Sequence, residues 1–319
     1  MNKKIQIVLF ALTAFVLYIF FLFFVFPYDA LKSKILAEVE KQIGNDYALR
    51  VGDMDVSMFG NLYFLKVQVL KRGQEKDVLV FQSPKVKINL AFLPLLLGNT
   101  QLQFDLKQDK GSVGGLFQQS GNELTLELEF DEMSLANLQL WKDKDFTYKG
   151  SLEGSLEFKG DGKNFQKSEG SIELDLVNLV IDPFKFNAIA SEMQLPAIQL
   201  SGKKGSKVVG KINQGKLVLS EFVLQGGDLE LNLKGDVQLS ALAGQTKLNL
   251  TGDMKLASAL EDRIFSWVGG MLGESFDIGL FKTQLNEKRN PQGFLPLAIT
   301  GTTRRPQIKI ADLPIPLPM

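Results

Sequence analysis

Hydrophobic and polar residues alternate along most of the chain from residue 47 onward. The clearest alternating stretches are 62–70, 86–90, 102–106, 124–130 and 172–176. A period of two places apolar side chains on one face of a β-strand and polar side chains on the other, which is typical of antiparallel sheets with one buried face. The pattern therefore predicts a mainly β protein built on a long, mostly antiparallel sheet.

Glycines interrupt this alternation in a loose repeat in the second half of the chain. Stretches 150–160, 227–239 and 244–256 each contain a strand pattern that is broken by glycine and then continues. Glycine inside a strand indicates a bulge, a tight bend or the close approach of another backbone. Repeated bends predict a curved sheet, which is expected to form either an open groove or one layer of a sandwich.

Helical patterns are few and short. Residues 28–44 carry apolar residues at three- and four-residue spacing, which predicts a linker helix that packs on the sheet or lies on a membrane surface. A second helix is predicted from Ser258, because Glu261 stands at capping-box spacing from it. The apolar stripe of this helix comprises Leu260, Ile264, Trp267, Val268 and Met271.

Strands are expected again at 276–285 and 294–299. The chain ends in a proline-rich stretch, 313–318, which is expected to be extended without joining a ladder, because proline lacks a backbone donor. Such an end is interpreted as a frayed terminus or as a docking tail.

Residues 5–26 form an apolar run without a single charge. At ~1.5 Å per residue, a helix of this length reaches ~33 Å, enough to cross a hydrocarbon core of ~30 Å. No small-x-small cleavage site follows the run, which favours a single-pass anchor over a signal peptide. The predicted organisation is a transmembrane anchor at 1–27, an amphipathic linker helix at 28–44, and an exported β-rich domain at 45–319.

The amino-acid composition limits the kinds of function that the chain can have. The 319 residues include 36 basic and 36 acidic side chains, so no strong field favours nucleic acid. There is no cysteine and no histidine, which excludes disulfides, thiol nucleophiles and histidine-dependent catalytic triads. The sequence therefore predicts a protein that is not an enzyme and that carries no cofactor and no metal.

Several short motifs resemble functional sites but have simpler explanations. Residues 205–211 match part of a phosphate-binding loop, but Ile212 stands where magnesium needs a hydroxyl, and a strand pattern follows. Residues 161–164 resemble part of a calcium loop but lack the remaining acids, so a tight turn is predicted. The acids at 127, 129 and 131 are expected on the wet face of a strand. The arginine pair at 304–305 is interpreted as a solvated turn, with a phosphate or lipid head group as the alternative.

The two ends of the chain resemble one known family. Directly after the apolar run stand Pro27, Tyr28, Asp29 and Leu31, and near the end the stretch 297–310 has a Gly-Thr-x-x-x-Pro-x-Ile-x-Ile pattern. Together with the glycine-punctuated β body, this resembles the type II secretion system protein N (GspN) family, a branch of the AsmA-like group. The ending is shared more widely among AsmA-like proteins.

The resemblance implies a single-pass protein of the cell inner membrane with its body in the periplasm. It also implies an accessory or structural role in the machine that exports folded proteins, with other secretion-machine proteins as partners. As an alternative it implies an AsmA-like lipid- or hydrophobe-binding protein with a groove-like sheet. AsmA-like lipid bridges are usually far longer than this chain, so transport across the whole periplasm does not follow.

One set of leucines is a candidate hydrophobic groove. The residues are Leu229, Leu231, Leu233, Leu248 and Leu250, which alternation places on one face of neighbouring strands. In a sandwich they would pack on a second sheet, and in an open groove they would face a lipid. Periodicity does not distinguish the two arrangements.

Overall fold

The structure is a computed structural model of the whole chain, and it describes residues 32–33, 36–37, 47–57, 61–73, 77–90, 99–108, 110–137, 147–161, 164–188, 191–240, 243–272 and 277–315. The predicted membrane anchor lies outside these residues, as does most of the predicted linker helix, of which 32–33 and 36–37 are helical. Among the described residues, no helix is long and apolar enough to cross a membrane.

The described part of the chain is mainly β, as the alternation predicts. The first strands are β1 (Tyr47–Arg50), β2 (Asp53–Val56), β3 (Asn61–Lys71), β4 (Val78–Leu90), β5 (Asn99–Lys107), β6 (Ser112–Ser120), β7 (Glu123–Ser134), β8 (Tyr148–Asp161) and β9 (Asn164–Ile181). They are followed by β10 (Phe184–Ala188), β11 (Ser191–Leu195), β12 (Ile198–Gln199), β13 (Lys207–Asn213), β14 (Lys216–Leu224), β15 (Leu229–Gln238), β16 (Lys247–Leu256), β17 (Leu295–Thr302), β18 (Arg305–Ile310) and β19 (Leu313–Ile315).

Seventeen of these strands form one antiparallel sheet, which is curved and not closed. From β3 to β9 each strand pairs with the next in the chain, and the same holds from β13 to β19. Strands β1 and β2 both pair with β3, at different positions along it. In the same way, β12 and β13 both pair with β9. Strands β10 and β11 form a separate hairpin. The open antiparallel sheet replaces the sandwich alternative in the described residues.

Two helices lie between β16 and β17. Helix α1 is Ser258–Leu272, as the capping-box spacing predicts, and helix α2 is Ile278–Glu287. The prediction of a strand at 276–285 is therefore wrong. The carboxylate of Asp277 caps α2 by accepting a hydrogen bond from the backbone N–H of Leu280 at 2.9 Å, and this local bond favours a helix over a short apolar strand. Two 3₁₀ turns, Leu135–Asn137 and Ala243–Gln245, complete the described helical elements.

The proline-rich end also differs from the prediction, since Leu313–Ile315 pairs with β18. Ala311 and Asp312 have positive φ values of 51° and 67° and form a two-residue turn. Ile310 and Leu313 flank this turn as a hydrogen-bonded pair, so the next pair, Lys309 and Pro314, needs no hydrogen bond between the strands. Proline is tolerated there because its missing N–H faces away from the ladder at a sheet edge.

Two buried clusters lie at opposite ends of the sheet. The N-terminal cluster is built on Leu62, Phe64 and Val67. The larger, C-terminal cluster joins Phe265 of α1 and Leu285 of α2 to the sheet residues Leu233, Met254, Leu295 and Leu297, with Ala311 beside them. The apolar stripe that the sequence predicts for α1 does not include Phe265, although this residue is only 7% exposed. The helix pair therefore covers one end of one sheet face.

Candidate functional site

One face of the sheet is made of apolar residues and glycine across its whole width. Residues that pair across neighbouring antiparallel strands point to the same face, so the register identifies each row. Row 1 comprises Phe64, Val86, Leu106, Val113, Phe130, Gly154, Leu174, Val208, Phe222, Leu233, Gly252, Leu297, Ile310 and Leu313. We call the surface formed by this row and its neighbour the apolar face.

Row 2 runs parallel to row 1 and has the same character. It comprises Leu62, Ile88, Phe104, Gly115, Leu128, Leu156, Ile172, Gly210, Leu219, Gly235, Leu250, Ile299, Ile308 and Ile315. Strands lie about 4.8 Å apart, so each row is about 60 Å long. Neither row contains a side chain that can form a hydrogen bond.

The apolar face is most buried beneath the helix pair and beside β3, and most of its middle part is half-buried. Leu233 and Leu297 are 2% and 7% exposed beneath the helix pair. In the same row, Phe130 and Leu174 are only half-buried, as are Leu128, Leu156 and Ile172 in row 2. The two buried clusters of the described residues lie outside this middle part. The 3₁₀ turn Leu135–Asn137 contacts β4 and β8 at one rim of it.

The five candidate leucines lie on the same side of the sheet, as their alternation predicts, and two of them, Leu233 and Leu250, belong to rows 1 and 2. Leu229, Leu231 and Leu233 lie in β15, opposite Leu256, Met254 and Gly252, and Leu248 and Leu250 lie in β16. Leu233 belongs to the helix-covered cluster, and Leu229 and Leu231 pack against it. Leu250 is 9% exposed, and Leu248 is half-buried. Leu233 is therefore part of a closed core beneath α1 and α2, and the partly buried Leu229 and Leu231 line its edge.

The half-buried part of the apolar face lies further towards the N-terminus, on β5 and β7 to β9, and Val113 of β6 is buried between them at 7% exposure. The sequence contains its signal, since 102–106, 124–130 and 172–176 are the clearest alternating stretches. Sequence reasoning did not select them because alternation alone does not show which part of a sheet face a helix covers.

A polar trough of about 760 Å³ crosses β4 to β8, and its lining combines polar residues of the opposite face with Phe104, Leu128 and Phe130 of the two rows. Its walls bear four acids and one lysine, namely Asp105, Glu127, Glu129, Glu157 and Lys87. Gly114 forms part of its floor, and a Cβ placed on this glycine meets no atom within 4 Å. Glu127 and Glu129 thus lie on the wet strand face, as predicted. Among the described residues, no group of three or more acids is arranged to hold a metal ion.

The remaining motifs also lie at identifiable places. Lys207–Asn213 is strand β13, so a strand follows Gly205 where a phosphate-binding loop needs a helix. Thr303 and Arg304 form the turn between β17 and β18, and Arg304 and Arg305 are exposed. The 297–310 ending is therefore a hairpin near the C-terminal edge of the sheet.

Comparison with family models, with curated proteins and with solved structures yields no match for this chain.

Proposed function

We propose that this protein is a membrane-anchored, non-enzymatic accessory component of a type II protein secretion machine, with its β body in the periplasm. The run at 5–26 followed by Pro27, Tyr28 and Asp29 supports the proposal, as does the ending that forms β17 and β18. Cysteine and histidine are absent from the chain, which agrees with a structural role.

The polar trough is the surface that best fits a partner protein in this role. Its strands β4 to β8 are held by continuous antiparallel ladders, so its walls are rigid. Its acids lie on an open face, where they can attract a basic segment of a partner and orient it on approach.

The test is a secretion assay in cells that lack the gene and are complemented with variants. Gly114→Trp should fill the trough without disturbing the backbone, because the space above Gly114 is empty. We expect it to lower export of a type II substrate to the medium, whereas the control Ser120→Trp, at the exposed end of the same strand, should not. Normal secretion in the deletion strain would contradict the proposal.

A second candidate function is the binding of lipid acyl chains, and the apolar face favours it. Two rows of about 60 Å contain no hydrogen-bonding side chain, and their middle part is half-buried. The two rows already bind apolar side chains within the protein, because Phe265 and Leu285 of the helix pair pack on them. An acyl chain needs no hydrogen bonds and fits such a surface.

Photoaffinity labelling of the full-length protein tests this function. The protein would be reconstituted in liposomes containing phosphatidylethanolamine with a diazirine in its acyl chain, and labelled peptides mapped by mass spectrometry. We expect label on peptides of β7 to β9 in addition to the anchor. The double variant Leu128→Asp, Leu156→Asp should lose the β-sheet label and keep the anchor label. Label confined to the anchor in the parent protein would rule out this function.

A further inference from the structure

Strands β10 and β11 continue the hairpin of β9 and β12 beyond the end of the large sheet. Ile181 pairs with Ile198 and Phe184 pairs with Leu195, so the two ladders have the same register. The strands are therefore the outer end of one long hairpin, and we call this end, 184–188 with 191–195, the arm. Its five residue pairs extend about 17 Å along the strands.

Two prolines separate the arm from the large sheet. In this register Pro183 stands opposite Pro196. Nearer the sheet, Leu200 donates its N–H to the carbonyl of Leu179 at 2.7 Å. Bonded pairs alternate along an antiparallel ladder, so both prolines occupy positions that require an N–H, which proline lacks. The ladder of the sheet is thus interrupted there, and the arm begins as a ladder of its own.

The arm is a ribbon of two strands. Within the described part of the chain, β10 and β11 pair only with each other. The register places Phe184 and Phe186 on the same face as Leu195 and Met193, which gives the ribbon one apolar face. Two strands alone are marginally stable in water, whereas three or more strands with an apolar face are stable. Pairing with a further strand would therefore stabilise the arm.

The edges of the large sheet are protected against an added strand, but the arm is not. In β2 the carboxylate of Asp53 accepts the N–H of Met54 at 2.7 Å, and at the other edge β18 and β19 contain Pro306 and Pro314. Charged side chains and prolines at an edge stop another strand from pairing with it. The two strands of the arm contain no proline and only two charged residues.

The sequence of β10 is self-complementary in antiparallel pairing. When two copies pair about Phe186, Phe184 stands opposite Ala188, and Lys185 stands opposite Asn187. No like charges then face each other, and the two Phe186 residues form an aromatic cross-strand pair, which is stabilising. Together with the two β11 strands, this pairing makes a sheet of four strands.

We propose that the arm is a dimerisation element, in which β10 pairs with β10 of a second copy about a two-fold axis at Phe186. A second copy fits because its own β10 is the matching edge, while the edges of its large sheet are protected. Five paired residues per copy form a small interface, so the dimer exchanges readily and covalent trapping is the suitable measurement. The proposal is independent of the secretion role and of the acyl-chain function.

The chain contains no cysteine, so one introduced thiol reports on one position. Phe186→Cys places two thiols opposite each other across the two-fold axis, and Met193→Cys reports on β11. Ser120→Cys, at the exposed end of β6, reports on random collision. Each variant is purified as full-length protein in detergent micelles and treated with a short bismaleimide. The measured quantity is the fraction of covalent dimer on a denaturing gel.

Asn187→Lys tests the pairing without weakening the arm. Within the arm this position lies opposite Glu192, where a lysine is favourable, whereas in the dimer it stands opposite Lys185 of the second copy, twice over. We expect the dimer fraction of the F186C protein to fall about fivefold at low cross-linker concentration. Adding Lys185→Glu should restore the dimer, because position 185 lies opposite the uncharged Gln194 within the arm.

The proposal requires that the F186C protein forms more covalent dimer than the S120C protein and responds to both charge changes. It is overturned if the F186C protein cross-links no more than the S120C protein, or if the M193C protein cross-links more than the F186C protein. It is also overturned if the combined charge change does not restore the dimer that Asn187→Lys removes.

Discussion

Leu233 in β15 lies directly opposite Gly252 in β16, and a side chain at position 252 would collide with the carbonyl oxygen of Asn232. The missing Cβ thus lets the two backbones approach beneath the helix pair, where Leu233 is 2% exposed. A glycine between large apolar residues recurs along both rows, at Gly154 and Gly235 among others. These positions give the sheet its bends while keeping the face apolar.

Gly252→Ala should destabilise the sheet by about 1–3 kcal/mol, because the added methyl group forces the strands apart. Gly114→Ala is the matched control, since it adds the same group to a strand where no atom lies within 4 Å. It should be neutral or stabilise by about 0.4–1 kcal/mol. Urea unfolding of the full-length proteins in detergent micelles, monitored by limited proteolysis, measures the change in stability of both variants. Equal midpoints for the two variants would show that the close approach at Gly252 is unimportant.

Much of the fold could be predicted from local patterns. The strict alternation in 124–130 and 172–176 identified β7 and β9, and the spacing from Ser258 to Glu261 identified the start of α1. Helix α2 was missed because a ten-residue apolar–polar segment fits either structure, and the deciding bond is made by the single side chain of Asp277. Short elements of this kind depend on caps and packing more than on periodicity.

The candidate site could be predicted only in part. Alternation placed Leu229, Leu231 and Leu233 on one side of the sheet, and the register of β15 agrees with this placement. The burial of these leucines depends on Phe265 and Leu285. Both residues lie in the helices that connect the neighbouring strands β16 and β17. The continuous rows depend in addition on the register of many strand pairs, which no local pattern contains.

Asp182, just after the end of β9, makes a pH-dependent contribution to the stability of the folded protein. Lys149 donates a hydrogen bond to its carboxylate at 2.7 Å and Thr147 donates another at 2.8 Å, and these bonds lower the pKa of Asp182 below its ordinary value of 3.8. A lowered pKa means that the stabilisation is present above about pH 4 and is lost as the pH falls through the lower, folded-state value.

Asp182→Asn should therefore lower the urea midpoint at pH 6 and have almost no effect near pH 2. The loss at pH 6 should be below about 1 kcal/mol, because the Lys149 side chain is 65% exposed and solvent screens the pair. The control is Asp175→Asn, an exposed acid of the same strand. A destabilisation that is constant between the two pH values would show that the charge of Asp182 has no part in it.

The anchor prediction is tested by fractionation. If residues 5–26 span the membrane, the full-length protein should remain in the pellet after alkaline carbonate extraction. The body should be digested by protease added to spheroplasts, because the exported domain is expected outside the inner membrane. A body protected from external protease would show the opposite orientation, and release into the soluble fraction would show that the run is no anchor.

The last prediction distinguishes the covered and open parts of the apolar face. Leu233 is 2% exposed in the cluster beneath α1 and α2, so Leu233→Asp should bury a carboxylate without a partner, which costs several kcal/mol and should unfold the C-terminal part of the sheet. Leu156 lies in row 2 on the half-buried middle part, where a carboxylate can reach water. Leu156→Asp should therefore leave the protein folded, with a loss of about 1–2 kcal/mol from the removed apolar contacts. Protease resistance in increasing urea measures both variants under the same conditions. If Leu156→Asp unfolds the protein as readily as Leu233→Asp, the middle of the face is a closed core, and the acyl-chain function loses its binding surface.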